Sequence, residues 1–242
     1  MSLPHTSDPP EQVPSLYLHI PFCRRACTYC NFHFSTQLDG RDAVVDAMVQ
    51  ELQWTASVVS QRRVATVYAG GGTPSVLTEA QWHRLMDAVR THFDWPESAE
   101  VTLEVNPEDA TVENIRLWRT LGFNRFSLGI QSFDDRDLQA MNRLHTGEEA
   151  RSAVLLAQDA GFTNLSVDLI YGLPFQTIEG IEDTIEKVKI LRPDRIAFYS
   201  YAHVPWIKPA QRGYGDKDLP EPEIKRRLYE TGREMLEKAG YH

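Results

Sequence analysis

Cysteine is nearly missing from this sequence: 3 of 242 residues, Cys23, Cys27 and Cys30, with none after them. Thiols so few, odd in number and confined to one short window cannot form a disulfide framework. They point instead to a metal site in a reducing compartment, with the cytoplasm as the expected location. Basic charge is short as well. Lys and Arg total 25 against 34 Asp and Glu, a formal net charge of −9. That balance argues against non-specific binding to nucleic acid or to an anionic membrane, because both want a basic surface. A membrane-spanning apolar run is lacking. The first 14 residues, MSLPHTSDPPEQVP, carry three prolines ahead of Val13 and read as a loose tail, not a signal peptide. What remains is ordinary for a globular domain, 42% hydrophobic, 24% charged and 10% aromatic, which excludes disordered, collagen-like and coiled-coil classes. One domain over residues 15–242 is the expectation.

Hydrophobic periodicity divides that domain into short β-rich runs alternating with longer helical patterns, six times over. The runs are Ser15–Ile20, Val64–Ala69, Glu100–Glu104, Arg125–Gly129, Leu165–Ile170 and Arg195–Ser200. They read as near-continuous apolar strands of the kind found in parallel sheets buried on both faces. Helical stripes follow: Val45, Met48 and Leu52; Ile178, Ile181, Ile185 and Val188; and Ile224, Leu228 and Met235 in a last helix from about Glu221 to Ala239. Thr78 with Gln81, and Thr146 with Glu149, carry the spacing of a capping box. Six consecutive βα units predict an α/β fold, either a doubly wound sheet or a partial (β/α)6 barrel with fewer strands than a full one. Both architectures place ligands at the carboxyl ends of the strands.

The residues at those ends carry chemistry. After the first strand stands PFCRRACTYCNFHF, a Cys-x3-Cys-x2-Cys cluster. Two metal centres suit it: a tetrahedral zinc site completed by His33, or a [4Fe-4S] cluster with one iron left without a protein ligand. After the second comes Gly70-Gly71-Gly72-Thr73-Pro74-Ser75, where the missing Cβ atoms let the backbone approach a ligand. It has neither the lysine nor the spacing of a phosphate-binding P-loop. Glu104, Val105, Asn106 and Pro107 follow the third strand, Gln131 and Ser132 the fourth, and Asp168 lies near the end of the fifth. One polar group at nearly every strand end, around a thiol loop and a glycine loop, is the lining expected of a ligand-filled barrel mouth.

These residues make the chain resemble the radical S-adenosylmethionine (SAM) enzymes. It is similar in particular to the branch holding oxygen-independent coproporphyrinogen III oxidase and the heme chaperone HemW. YLHIPFCRRACTYC, GGGTPS, LEVNPED, GIQSF, NRLH, VDLIYGLP and YAHVPWIKPAQR carry the likeness, in order, from Tyr17 to Arg212. The resemblance implies the open barrel and a [4Fe-4S] cluster on Cys23, Cys27 and Cys30 that splits SAM to a radical able to take hydrogen from a substrate. It implies SAM contacts at Tyr17, Tyr29, Gly71, Gly72, Thr73, Glu104, Gln131, Arg143, Asp168 and Ala202. Glycine backbone and Glu104 suit an ammonium, Arg143 a carboxylate through its planar fork, and Asp168 ribose hydroxyls. Implied partners are a porphyrinogen or heme and a reducing donor such as flavodoxin or ferredoxin, with no nucleic acid and no membrane span. Arg24, Arg25, Lys208 and Arg212 are candidates to meet propionate groups.

Two features differ from the oxidase pattern. Phe32 stands where that pattern has a fourth cysteine, as in the chaperone pattern, whereas SYAHVPWIKPAQRGYGDKDLP is closer to the oxidase. Family members also continue into a region that covers the barrel, so residues 15–242 are expected to be its catalytic portion without that cover. Oxidation of coproporphyrinogen III to protoporphyrinogen IX is the first functional expectation, heme delivery the second and a structural zinc protein the third.

Overall fold

Three threonines start helices in the way their neighbours require. In the computed structural model, which describes residues 13–242, Thr78 and Thr146 close full capping boxes with Gln81 and Glu149, and Thr177 accepts from Gly180 N–H. Each satisfies backbone donors that a helix start leaves free. The loose tail expected at residues 1–14 lies outside the described residues up to residue 12.

The helices are α1 (Arg41–Val58), α2 (Glu79–His92), α3 (Val112–Thr120), α4 (Asp135–Ala140), α5 (Gly147–Asp159), α6 (Ile178–Leu191) and α7 (Pro222–Lys238). They alternate with strands β1 (Leu16–Ile20), β2 (Val67–Gly71), β3 (Val101–Val105), β4 (Arg125–Gln131), β5 (Leu165–Tyr171) and β6 (Arg195–Ser200). The strands form one six-stranded sheet in the order β1-β2-β3-β4-β5-β6, every pairing parallel. A doubly wound sheet reverses its strand order at a switch point. A strictly sequential order has no such point and is that of a barrel, here open between β1 and β6. Among the described residues no helix is long and apolar enough to cross a membrane.

The strands differ from the sequence expectation in two respects. β2 begins at Val67, not Val64, because Val64 N–H bonds Asp94 and pairing with β1 starts at Leu16 opposite Val67. The strands are also less uniformly apolar than expected. In β3, β4 and β5 the residues Leu103, Phe126, Leu128, Val167 and Leu169 are fully buried, whereas their alternates Thr102, Glu104, Ser127, Gly129 and Asp168 are small or polar. Period 2 puts these two sets on opposite faces. Helices pack on the apolar face: Trp118 of α3 meets Phe126 edge-on at 5.6 Å, and Phe126 stacks on Phe162 at 3.8 Å between ring centres. Aromatics of this size each remove roughly 150–250 Å² from water and dominate the core. The other face is the polar interior of the barrel.

Two helical details also depart from expectation. The stripe of α7 buries Leu228, Gly232 and Leu236, with Met235 only partly covered, because Gly232 fits against the Phe198 ring where a Cβ would sit 2.7 Å away. The short helix α4, capped by Asp134, adds a segment between β4 and α5 that the periodicity was too brief to reveal.

Candidate functional site

At the carboxyl end of the sheet the strand ends and loops enclose a cavity of about 380 Å³, within the range of ligand pockets. The thiol loop after β1 forms one wall, and Cys23, Cys27 and Cys30 all face the cavity. Distant segments pin this loop. Cys23 N–H donates to Ser35 at 3.0 Å and Thr28 N–H to Met141 at 3.2 Å, Asn142 Nδ2 donates to Ala26 at 2.8 Å and the buried Gln211 to Thr28 at 3.0 Å. Burial pushes the Cys23 thiol up to about 11, against a hydrogen bond from the Thr73 hydroxyl at 3.3 Å. His33, the fourth ligand of the zinc reading, is exposed and is not among the residues that line the cavity with the three thiols.

Arg24 is committed elsewhere. Its Nε donates to the buried Asp109 at 2.9 Å, and Asp109 also accepts from Ser75 Oγ at 2.7 Å. This ties the thiol loop to the glycine loop and makes Arg24 a structural cation, unlike the substrate-facing role the sequence suggested.

The glycine loop after β2 forms the next wall, with Gly71, Gly72 and Thr73 on the cavity. Gly71 has φ of 117°, a backbone region closed to ordinary side chains, and its N–H donates to Glu104 Oε2 at 3.1 Å. The other Glu104 oxygen accepts from Tyr68 Oη at 2.7 Å. Burial raises the Glu104 carboxyl above its ordinary value despite those bonds. Arg143, which follows α4, crosses the floor. Its Nη2 donates to the Gly129 carbonyl at 2.6 Å and to Asn106 Oδ1 at 2.9 Å, and its Nη1 lies 3.6 Å from Cys27 Sγ. Arg143 Nε is buried and has no partner.

Of the remaining residues singled out in the sequence, Tyr29, Gln131, Asp168 and Ala202 also line the cavity. Gln131 holds a positive φ of 71° where β4 is irregular against β5. Tyr17 is 54% exposed and lies outside the cavity lining, its hydroxyl beside His19 Nδ1 at 3.1 Å. Asn106 lines it too, and residues not singled out complete the lining, among them Ser127, Gly129 and Tyr199. Inward alternation from Arg125 along β4 was the signal available for Ser127 and Gly129.

Burial first, and then the nearby Glu104 charge, push the Asp168 carboxyl up to about 7, with Arg125 and Arg143 opposing. An acid raised on folding holds its proton more tightly in the native state. Native stability therefore falls as pH rises from about 4 to about 7 and levels off above. Asp168→Asn is expected to remove this cost, raising the melting temperature at pH 8 and leaving it nearly unchanged at pH 4. The gain is on the order of 2–4 kcal/mol at the higher pH. Thermal melts at the two pH values check it, and equal shifts at both would refute it.

Comparison with known proteins agrees with this geometry. The chain is 38% identical to oxygen-independent coproporphyrinogen III oxidase of Escherichia coli (strain K12) over 234 residues, 96% of this chain and 51% of that protein. It is also 38% identical to the oxidase of the same name from Pseudomonas aeruginosa over 232 residues, 94% of this chain and 50% of the relative. The chain thus spans about half the length of the curated relatives it matches. The solved structure of coproporphyrinogen III oxidase (HemN) from Escherichia coli, described as a radical SAM enzyme, superposes with a TM-score of 0.91 at 37% identity. It covers 98% of this chain and 55% of that one. The hydrogenase maturase HydG from Carboxydothermus hydrogenoformans shares the fold alone, with a TM-score of 0.58 at 14% identity over 94% of this chain and 52% of its own. The model of the radical SAM superfamily matches residues 17–188, which run from β1 into α6 and include the three thiols, the glycine loop, Glu104, Arg143 and Asp168. On that match the chain belongs to the radical SAM superfamily.

Proposed function

We propose that the chain holds a [4Fe-4S] cluster on Cys23, Cys27 and Cys30, binds SAM beside it, and acts in tetrapyrrole synthesis by oxidising coproporphyrinogen III. The observation that carries the reading is that Cys23, Cys27 and Cys30 line one cavity together with Gly71, Gly72, Glu104, Arg143 and Asp168. Arg143 brings a guanidinium to that cavity and Glu104 a carboxylate, and the amino-acid end of SAM has a carboxylate and an ammonium to meet them. Three thiols lining one cavity suit a cluster whose ligands sit on separate irons.

When bound, the cluster supplies the electron that splits SAM into methionine and a 5′-deoxyadenosyl radical. The chain's own residues orient the reactants. Arg143 receives the carboxylate. Glu104, fixed by Tyr68 and the Gly71 N–H, accepts from the ammonium, and the bare backbone of Gly71 and Gly72 lets it come close. Asp168 and Gln131 face the nucleoside, Tyr29 and Thr73 close the wall at the thiol loop, and Ala202 stands at the rim. Arg25 on the cavity edge, with Lys208 and Arg212 on the loop after β6, offers cations to the propionates of a porphyrinogen. The reductant is a small electron carrier such as flavodoxin or ferredoxin.

After anaerobic reconstitution the chain should hold about four iron atoms and, once reduced, cleave SAM to 5′-deoxyadenosine, with decarboxylated product forming when coproporphyrinogen III is added. A chain that stays free of iron, or takes only zinc, overturns the reading. Phe32, 71% exposed on the cavity rim where the oxidase pattern has a cysteine, favours one alternative: heme delivery by the same cluster-bearing fold. Stable heme binding with no vinyl product would select it.

A further inference from the structure

Three of the candidate residues, Thr73, Arg143 and Cys27, are linked through intervening side chains to one half-buried carboxylate that is not itself a candidate and does not line the cavity. Glu108 sits in the turn after β3, its side chain 17% exposed, facing the wholly buried His145. Two chains of polar contacts leave it. Along the first, Asn106 Nδ2 donates to Glu108 Oε1 at 3.2 Å and to Thr73 Oγ1 at 3.4 Å, and Thr73 Oγ1 donates to Cys23 Sγ at 3.3 Å. Along the second, His145 Nδ1 stands 3.3 Å from Glu108 Oε2 and 3.5 Å from Arg143 Nη2, and Arg143 Nη1 lies 3.6 Å from Cys27 Sγ. The Arg143 Nη2 bond to Asn106 Oδ1 at 2.9 Å links the two.

The directions of these bonds are fixed by chemistry. Asn106 must turn its oxygen to the guanidinium, since Arg143 can only donate, and its nitrogen to the carboxylate, which when ionised only accepts. The single proton of Thr73 is then free for Cys23. His145 Nε2 faces the Ile130 carbonyl at 3.1 Å and so must donate there. Glu108 Oε2 is buried and has no hydrogen-bond partner, with His145 Nδ1 standing 3.3 Å away. Burial pushes the Glu108 carboxyl up, yet His145 and Arg143 outweigh burial and hold it below its ordinary value. An ionised carboxylate is thus the common acceptor behind both donors.

From this geometry we infer that Glu108 is a positioning residue. Its carboxylate orients Asn106, and through the amide nitrogen and oxygen of that one residue aims the Thr73 hydroxyl at Cys23 and the Arg143 guanidinium at Cys27, so that two of the three cluster sulfurs are held by donors fixed from one point. The inference rests on the proposed cluster site. Outer partners of this kind orient metal ligands, and their loss costs about 10–100-fold in metal affinity.

The test is the rate of iron loss from the reconstituted chain to a chelator, followed anaerobically by visible absorbance. Glu108→Ala is expected to speed that loss about 10-fold or more. Val154→Ala, a buried site in α5 away from the cluster, serves as the control for general destabilisation and should leave the rate within about 2-fold. In an Arg143→Met background the effect of Glu108→Ala should shrink to about 3-fold, because one chain is already cut. Where Glu108→Ala does not fold, Asn106→Leu, which removes the side chain linking Glu108 to both Thr73 and Arg143, should speed iron loss about 10-fold. A rate for Glu108→Ala equal to that of the control, or an undiminished effect in the Arg143→Met background, overturns the inference. Failure of the unsubstituted chain to take up iron would instead strike the cluster reading itself.

Discussion

Replacing Cys27 by serine is expected to leave the chain with less than about a tenth of the iron of the unsubstituted protein after reconstitution, and to abolish reductive cleavage of SAM altogether. Serine keeps the size of the side chain but replaces a soft thiolate with a hard hydroxyl that stays protonated at neutral pH, and iron–sulfur clusters are held by thiolates. With only 3 cysteines in the sequence, no neighbouring thiol is available to substitute, and Cys23 and Cys30 alone leave two irons open where one is wanted. The change should cost the fold little. Cys27 is only partly buried, its sulfur lies 3.6 Å from Arg143 Nη1, and a near-isosteric swap at such a site usually stays within about 1 kcal/mol. Iron analysis beside a thermal melt of the iron-free chain separates the two. Normal iron content in the variant would remove Cys27 from the site, and a collapse of the melting temperature would show that the loss came from unfolding.

How much of this was open to reading in the sequence depends on the range of the interaction. The strands, the helix starts at Thr78 and Thr146 and the loop of thiols are local signals, carried by neighbours within a few residues, and each stands where the sequence put it to within a few positions. The βα rhythm left the sheet order open between a doubly wound sheet and a barrel, and the polar interior was hidden, because serine and glycine in β4 look neutral in a hydrophobic pattern until their facing is known. The pairings that set the site are non-local. Asp109 meets Arg24 across 85 residues and Arg143 meets Cys27 across 116. No periodicity reports such contacts, so Arg24 looked like a free cation when it pairs with the buried carboxylate of Asp109. Glu108 and His145 stood inside quoted motifs, yet nothing in their spacing indicates that they face each other. Tyr17, brought in by likeness, stands beside Tyr68 at 5.9 Å between ring centres, on the strand face opposite Leu18 and Ile20, a placement that no local pattern reports.

Gly72→Ala should disable the site as completely as losing a cysteine, and for a steric reason. A Cβ at Gly72 would stand 2.7 Å from the Phe22 carbonyl oxygen, 3.0 Å from Phe22 N and 3.1 Å from Cys23 Sγ. Two of those atoms are backbone, and neither side can yield cheaply. Gly72 N–H is bonded to Ile20 at 2.9 Å, while Cys23 N–H holds Ser35 at 3.0 Å and Ser35 N–H holds Pro21 at 2.8 Å. The added methyl must therefore drive the glycine loop and the thiol loop apart, carrying Cys23 away from Thr73 and out of register with the other two thiols. Overpacking of this kind costs about 1–3 kcal/mol, or roughly 2–10 °C in melting temperature for a domain of this size, so the chain should still fold. Cluster uptake should fall below about a tenth of normal, because displacement of one ligand loop by an ångström defeats a site that needs three sulfurs placed together. Gly213→Ala is the matched control, since a Cβ there meets nothing within 4 Å and should change neither iron content nor stability. Iron content, visible absorbance and a melt on the two variants decide the matter, and full cluster occupancy in Gly72→Ala would show that the two loops move independently.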